Sequence, residues 1–295
     1  MVLGIDIGGS SLKFALVNEN GDIFHKAKYD TKEFVANGFE QSLIQSIQDY
    51  LDKHEGITGV GMGFPGLLSA DRKKVLLLPN IPAIKNINIV DPILARFPFL
   101  NVRIENDAKC AAMGEYKFGS MKGQTDFLLV TLGTGVGSGA IINHELFIGA
   151  RGNGTEIGHM ILREGRTVEQ LIGLKPLLEH AGRILELSKE GKLKHKEVSM
   201  SSLIDAAVEG DKPSLELFAF VGKMLGDALV SVIRVLDINQ IIIGGGISNA
   251  YECILPELRN AIFTKLPSYY TESIMIKKAS LSNDAGVLGA AGLVL

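Results

Sequence analysis

Two glycine-rich turns of the same kind constrain this chain most, because strand-like residues flank each of them. The first lies in Asp6-Ile-Gly-Gly-Ser-Ser-Leu-Lys-Phe and the second in Leu132-Gly-Thr-Gly-Val-Gly-Ser-Gly-Ala. A Walker-type or dinucleotide-binding loop runs from a strand into a helix. Here residues 12–17 and 139–142 are apolar and partly β-branched, which is typical of strands. The sequence therefore predicts a strand–turn–strand unit that occurs twice.

The backbone of such a turn can bind an anion. Its amides can point inward together as a nest, and glycine is needed because a side chain would block the approach. Each loop could instead be an ordinary hairpin turn, and Lys13 could be a strand-edge charge. Two loops, one preceded by Asp6, favour two halves that bind one phosphate chain. The candidate phosphate-binding residues are Gly8, Gly9, Ser10, Ser11, Lys13, Gly133, Thr134, Gly135 and Gly137.

The composition indicates a globular chain and gives no sign of a nucleic-acid surface. The 295 residues suffice for two domains, 46% of them are hydrophobic, and the net charge is -3. No run of about eighteen apolar residues occurs and the chain begins with a strand-like segment, so we expect a soluble cytoplasmic protein. Cys110 and Cys253 are far apart and form no Cys-x-x-Cys pair. We expect two buried thiols and no disulfide or cysteine metal site.

Hydrophobic periodicity predicts an α/β chain in which one order of elements is loosely repeated. Strands are expected over residues 2–7, 12–18, 23–29, 57–64, 101–105, 126–132, 138–143 and 240–243. Helical segments are expected over 37–54, in the alanine-rich stretch that follows Asn106-Asp107, and over much of 167–237. Within the last of these, 213–236 is apolar on more than one face, which favours a helix buried between layers or at an interface.

The predicted division of the chain has three parts. Residues 1–107 form an N-terminal α/β domain, and residues 108–282 form a larger C-terminal one. Residues 283–295 are expected to form a C-terminal helix that returns to the first domain.

Five motifs occur in an order that resembles one known family. They are Asp6-Ile-Gly-Gly-Ser, the stretch from Glu105 to Ala112, Leu132-Gly-Thr-Gly-Val-Gly-Ser-Gly, Glu156-Ile-Gly-His159 and the segment from Ile243 to Ser248. Each is weak alone, but together they resemble the ROK family of sugar kinases, within the actin-like ATPase superfamily, over nearly the whole chain. The resemblance implies two actin-like (ribonuclease H-like) α/β domains with an interdomain cleft. It also implies transfer of the γ-phosphate of ATP to a hexose, most readily glucose, with Mg²⁺, by a homodimer.

Asp107 is the candidate catalytic residue. The reaction needs a group that takes a proton from the sugar hydroxyl as its oxygen attacks the phosphate, and a carboxylate at a strand–helix junction is suited to this. Such a base contributes roughly 10²- to 10⁴-fold. The alternative is that Asp107 only caps the alanine-rich helix that follows, a common position for Asp.

The resemblance also implies the sugar contacts. Asn106 is suited to a pair of hydroxyls, and Asn80 matches a second contact, although it could be a turn residue. Glu156 and His159 are three residues apart, so a tight or helical turn would point both side chains the same way. Glu169 matches a further sugar-binding glutamate, with an exposed carboxylate at a helix start as the alternative.

The segment after His159 departs from the family pattern. Many members continue with a Cys-rich zinc segment in which this histidine is also a ligand, whereas residues 160–173 contain no cysteine. Thiolates supply most of the affinity of such a site. We therefore expect no zinc.

The remaining nucleotide contacts also follow from the resemblance. It places adenosine at Gly245 and Gly246, which from the residues alone could be only a tight strand-to-helix turn. Asp6 is expected to face the metal-bound phosphates, directly or through water, because Mg²⁺ prefers few carboxylates and several waters.

Three alternatives compete with an ATP-dependent glucokinase. Polyphosphate glucokinases resemble this chain in Gly8-Gly9-Ser10-Ser11-Leu12-Lys13 and in lacking zinc cysteines. Another hexose or an N-acetylated amino sugar would use the same polar set. A catalytically inactive sugar sensor would keep the binding residues, although Asp107 argues against it, and we expect no DNA-binding regulator because no helix-turn-helix segment precedes the first strand.

Overall fold

The structure is a computed structural model, and it describes residues 1–188, 191–193 and 198–295. The chain forms two compact units. The first contains residues 1–125, 139–155 and 283–295, and the second contains residues 126–138 and 156–282. The domain boundaries that the sequence predicts remain a prediction.

Strands and helices are interspersed along the chain. The first elements are β1 (Val2–Ile7), β2 (Ser11–Val17), β3 (Ile23–Asp30), α1 (Thr31–Ala36), α2 (Phe39–Lys53), β4 (Gly59–Phe64), β5 (Leu67–Leu68), β6 (Lys74–Leu77), β7 (Lys85–Asn88), α3 (Val90–Arg96), β8 (Asn101–Asn106) and α4 (Asp107–Lys117). They are followed by β9 (Phe127–Leu132), β10 (Val136–Ile142), β11 (Glu145–Phe147), β12 (Ile161–Arg163), β13 (Arg166–Thr167), α5 (Val168–Ile172), α6 (Leu174–Leu187), α7 (Met200–Val208), α8 (Lys212–Leu236), β14 (Gln240–Gly244), α9 (Tyr251–Phe263), α10 (Ser268–Thr271), β15 (Met275–Lys278) and α11 (Ala285–Gly292).

Two five-stranded sheets have the same strand order, which makes the fold a repeated α/β unit. The first is β3-β2-β1-β4-β8 and the second is β11-β10-β9-β14-β15. In the first sheet β1, β2 and β3 are antiparallel neighbours, whereas β4 is parallel to β1 and to β8. In the second sheet β14 is parallel to β9 and to β15. The α/β class predicted from the sequence is confirmed.

Parallel pairing determines where the motifs lie. The carboxyl ends of parallel strands meet at one edge of a sheet, where ligands bind in open α/β sheets. In the first sheet, β1 ends before Gly8 and β8 ends at Asn106. In the second sheet, β9 ends before Gly133 and β14 ends at Gly244. Each sheet therefore carries its candidate residues at one edge.

The region between β4 and β8 differs most from expectation. It contains a small three-stranded sheet of β5, β6 and β7, followed by α3. These strands have only two to four residues, too few to give a periodic hydrophobic signal. In the predicted helical stretch the structure has α5 to α8, while residues 189–190 and 194–197 lie outside the described residues. Among the described residues, no helix combines the length and the apolarity needed to span a bilayer.

Helix α11 packs against β1, β4 and α4 with unusually close backbone contacts. A Cβ added to Gly61 of β4 would overlap the carbonyl oxygen of Ala290, and one added to Gly289 would overlap that of Cys110 in α4. Glycine at these positions lets the helix backbone lie directly on its neighbours. These glycines therefore determine how closely α11 approaches β4 and α4.

We expect Gly289→Ala to lower the free energy of unfolding by about 2–3 kcal/mol, because overpacking typically costs 1–3 kcal/mol. Gly182 is the matched control: it lies inside α6, and an added Cβ there meets nothing within 4 Å. Gly182→Ala should instead raise the free energy of unfolding by about 0.5–1 kcal/mol through helix propensity. Urea denaturation measures both values, and equal stability of the two variants would contradict the close contact.

Candidate functional site

The first glycine turn joins β1 to β2 as a hairpin in the first unit. The Gly8 amide donates to the Ser11 carbonyl over 3.0 Å, and the Thr31 hydroxyl donates to the Gly8 carbonyl over 2.8 Å. A Cβ added to Gly9 would lie 3.1 Å from the Cβ of Asn80. The structure thus brings the predicted phosphate turn next to a predicted sugar contact.

Asp6 and Lys13 form an ion pair beside this turn. The Lys13 ammonium donates to Asp6 Oδ2 over 3.3 Å and to the Asn283 carbonyl over 3.1 Å. A Cβ added to Gly286, in the first turn of α11, would lie 2.8–2.9 Å from the Asp6 carboxylate. Lys13 is therefore more than a strand-edge charge, and Asp6 lies between it and the start of α11.

Asn106, and not Asp107, is the N-cap of α4. Its Oδ1 accepts from the amides of Ala108 over 3.0 Å and Lys109 over 3.3 Å. Asp107 is the first helical residue, and its Oδ1 also accepts from the Ala108 amide over 2.8 Å. The alternative in which Asp107 is present to cap the helix is therefore wrong, because its neighbour performs that role.

Cys110 lies one turn into α4 and is buried. Burial raises the pKa of its thiol, and the carboxylates of Glu105, Asp6 and Asp107 raise it further. The buried Lys109 ammonium acts in the opposite direction and lowers this pKa. The thiol of Cys253 is only partly buried, in contrast to the expectation for both cysteines.

The second glycine turn is tied to Glu169 in the second unit. The Val136 amide donates to Glu169 Oε2 over 2.9 Å, and a Cβ added to Gly135 would overlap that same oxygen. The Leu174 amide donates to the Gly133 carbonyl over 3.1 Å. Glu169 lies in the first turn of α5 and is partly buried. It is not the exposed helix-start carboxylate of the alternative interpretation.

The segment from Glu156 to His159 lies against the same part of the turn. A Cβ added to Gly158 would overlap the Val136 carbonyl oxygen, and the Ile157 amide donates to the Ser138 hydroxyl over 3.3 Å. Residues 157–159 form a 3₁₀ turn. The peptide groups of Val136 therefore connect this segment on one side and Glu169 on the other.

Glu156 and His159 point the same way, as their spacing predicts. His159 Nε2 lies 3.9 Å from Glu156 Oε2, and their side chains are 66% and 36% exposed. Two accessible polar groups at this separation can contact adjacent hydroxyls of one ligand.

The turn after β14 also packs on the glycine turn after β9. Gly245 has φ +81°, and an added Cβ would overlap the carbonyl oxygen of Leu132. By contrast, a Cβ added to Gly133 or Gly246 would meet nothing within 4 Å. Packing therefore requires glycine at position 245, whereas Gly133 and Gly246 leave open space over the backbone.

A short hairpin follows His159 where many ROK proteins carry a zinc segment. β12 and β13 are joined through Glu164 and Gly165, with φ of +50° and +74°, which is typical of a type I′ turn. In the described part of the chain, no three His, Cys, Asp or Glu side chains form a cluster suited to a metal ion. The absence of zinc remains a prediction.

Sequence analysis missed one polar contact to the Asn106 backbone. Glu105 Oε1 accepts from the Asn106 amide over 2.8 Å, and its Oε2 accepts from Arg72 Nε over 2.8 Å. The sequence gives no clear signal that Glu105 is buried, because Asn101, Arg103 and Asn106 of the same strand are also polar. Arg72 gives no such signal, because it lies in a polar turn like many exposed arginines.

Known proteins are similar to this chain over its whole length. The ROK family matches residues 2–295. The chain belongs to the ROK family. It is 30% identical to a glucokinase from Thermotoga maritima, over 99% of this chain and 96% of that protein. It is 25% identical to the regulator NagC from Escherichia coli, over 99% of this chain but 74% of that protein.

Solved structures of ROK proteins show the same fold. A candidate sugar kinase from Cytophaga hutchinsonii has a TM-score of 0.95 and 46% identity, over 100% of this chain and 99% of that one. A ROK glucokinase from Streptomyces griseus, in complex with glucose and AMPPNP, has a TM-score of 0.82 and 27% identity, over 99% and 98%. This ROK protein therefore has the two-domain actin-like α/β fold.

The cap assignment predicts that two neighbouring substitutions differ in their effect on stability. Asn106→Ala should lower the free energy of unfolding by about 1 kcal/mol through loss of the N-cap. Asp107→Asn should change it by less than about 0.5 kcal/mol, because the cap remains and an amide oxygen can still accept from Ala108. Urea titrations of the two variants test this, and a larger loss for Asp107→Asn would contradict the assignment.

Proposed function

We propose that this ROK protein is an ATP-dependent hexose kinase, with glucose as the favoured substrate and glucose 6-phosphate as the product. The observation that carries the proposal is the position of Asp107: a carboxylate at the first helical residue of α4, in a helix already capped by Asn106. The glucokinase relatives and the Streptomyces griseus structure with glucose and AMPPNP support the choice of substrates.

The chemical step assigned to Asp107 is general base catalysis. Its carboxylate takes the proton of the attacking hydroxyl while that oxygen forms a bond to the γ-phosphorus, and the bond from that phosphorus to the bridging oxygen of ADP breaks. Much of the remaining acceleration in phosphoryl transfer comes from alignment and charge neutralisation. These tasks are assigned to the glycine turns and their neighbours.

The donor is assigned to the glycine turns. Open space over Gly133 and Gly246 would let a nucleotide lie against the backbone, and the hairpin from Gly8 to Ser11 supplies further amides and hydroxyls. Asp6 offers one carboxylate that is 19% exposed, which fits the small number of carboxylates in Mg²⁺ sites. A bound Mg²⁺ would neutralise phosphate charge, while Lys13 holds the orientation of Asp6.

The sugar is assigned to Asn80, Asn106, Glu156, His159 and Glu169. The Val136 amide holds Glu169 Oε2, so Glu169 Oε1 is the oxygen assigned to a sugar hydroxyl. Asn106 Oδ1 caps α4, and its Nδ2 is 3.4 Å from the Gly66 carbonyl. With Oδ1 held in the cap, Nδ2 is the Asn106 group assigned to a sugar hydroxyl.

A sugar-responsive sensor is the second candidate, because the family match includes the regulator NagC. Such a protein would bind sugar and transfer no phosphate. We also propose that the kinase acts as a homodimer, which sedimentation would test. Polyphosphate is the alternative donor to ATP, and direct comparison of the two donors decides between them.

Asp107→Asn should reduce kcat by about 10²- to 10⁴-fold and leave glucose affinity within about twofold, because the sugar contacts remain. The measurement is a coupled assay over a panel of hexoses and amino sugars with ATP-Mg²⁺ and with polyphosphate, together with calorimetric sugar binding. Unchanged turnover in the variant would refute the role of Asp107. Sugar binding without turnover for every donor and sugar would favour the sensor.

Glu169→Gln should raise the KM for the sugar by about tenfold or more, because hydrogen bonds to a charged group are worth about 1.5–3 kcal/mol and those to a neutral one about 1 kcal/mol. The amide oxygen can still accept from Val136, so stability should change little. Glu179→Gln, an exposed change on α6, is the control. Equal KM values for the two variants would remove Glu169 from the sugar contacts.

A further inference from the structure

Arg72 joins three separate segments of the first unit. Its Nε donates to Glu105 Oε2 over 2.8 Å, its Nη1 donates to the Ser69 carbonyl over 3.2 Å, and its Nη2 donates to the Gly152 carbonyl. The Arg72 and Glu105 side chains are only 14% and 6% exposed. A buried ion pair compensates its desolvation only when further hydrogen bonds are also made, and this guanidinium adds two to backbone carbonyls.

The backbone of Arg72 is held in an uncommon conformation. Its φ is +55°, in the left-handed region that few non-glycine residues adopt. Such a residue persists when its surroundings over-determine it, and this often occurs at functional sites. The three side-chain contacts supply that constraint.

The loop over residues 149–155 fits around the guanidinium. Gly152 has φ +87°, and an added Cβ would overlap Arg72 Nη1. Asn153 makes two hydrogen bonds to the backbone of Leu68. Its Oδ1 accepts from the Leu68 amide over 3.3 Å, and its Nδ2 donates to the Leu68 carbonyl over 3.2 Å. This loop therefore contacts Arg72 through Nη2, whereas Glu105 accepts from its Nε.

Glu105 connects Arg72 to the end of β8. Its Oε1 accepts from the Asn106 amide over 2.8 Å while its Oε2 is bound to Arg72. Asn106 is fixed on its other side by the cap of α4. Glu105 therefore restrains the Asn106 amide, and the cap restrains the Asn106 side chain. The direction of the Asp107 side chain depends on both restraints.

We propose that Arg72 is a positioning residue for Asp107, acting through Glu105 and the Asn106 amide. This inference rests on the proposed function, because it assigns Asp107 the role of base. As a positioning residue, Arg72 is assigned an effect through Glu105 and the Asn106 amide and not a contact with substrate. A misplacement of about 1 Å from a distant change can cost about 10²-fold in rate, so loss of Arg72 should appear in kcat.

Arg72→Gln should lower kcat by about 10- to 100-fold and change the KM for glucose by less than about twofold, because the Asn106 side chain keeps its own bonds. Arg72→Lys, which keeps a charge beside Glu105 but cannot make the three contacts, should give a smaller loss. Lys73→Ala is the matched control, since Lys73 is the next residue and its ion pair with Asp91, at 2.8 Å, is exposed. It should keep the kcat of the unchanged protein.

A second test combines Arg72→Gln with Asp107→Asn. There Arg72→Gln should lower the residual turnover no further, because the group it positions is gone. Wild-type kcat in Arg72→Gln, or an equal fractional loss in the two backgrounds, would overturn the inference. Full turnover of Asp107→Asn alone would refute the proposed base, which is a separate outcome.

Two variants keep the test decisive if Arg72→Gln fails to fold. Arg72→Lys retains the buried charge, and Gly152→Ala displaces the guanidinium without removing it. Thermal unfolding identifies the folded variants. Wild-type kcat in both of these variants would overturn the inference.

Discussion

The close contact of α11 with its neighbours is the constraint on which the first unit depends. Because Gly61 and Gly289 have no side chains, the helix lies directly on β4 and α4. The same contact places Gly286 against the Asp6 carboxylate, so the residue proposed to hold Mg²⁺ is oriented by the last helix of the chain. The packing of α11 therefore also restrains the direction of the Asp6 carboxylate.

In the second unit, Val136 orients candidate site residues, as α11 does in the first unit. The Val136 amide holds Glu169, and the Val136 carbonyl oxygen lies against Gly158, between the candidate sugar residues Glu156 and His159. A shift of this one residue would move two groups of candidate sugar contacts together with the glycine turn. Gly133 of this turn leaves open space that suits the proposed phosphate donor, and Val136 at its end contacts the residues proposed to bind the acceptor.

Sequence reasoning predicts the long, strongly periodic elements and the repeated order of strands. It fails where signals are short or depend on tertiary contacts. The strands β5 to β7 are too brief to show alternation, and the cap of α4 could be Asn106 or Asp107 because both residue types favour that position. The residues around Gly245 indicate a strand-to-helix turn, yet only the packing on Leu132 shows why glycine is required there. Arg72 escapes detection because two of its partners, Glu105 and Gly152, are distant in sequence.

The tripeptide Glu105-Asn106-Asp107 shows how three adjacent polar residues acquire separate roles. Glu105 is buried and accepts from the Asn106 amide, Asn106 accepts from the first amides of α4, and Asp107 begins the helix. Because the backbone changes from strand to helix at this point, the three side chains leave it in different directions. Glu105 and Asn106 satisfy the backbone groups that the change of structure exposes. Catalysis is then assigned to Asp107, the residue whose carboxylate α4 does not need for its cap.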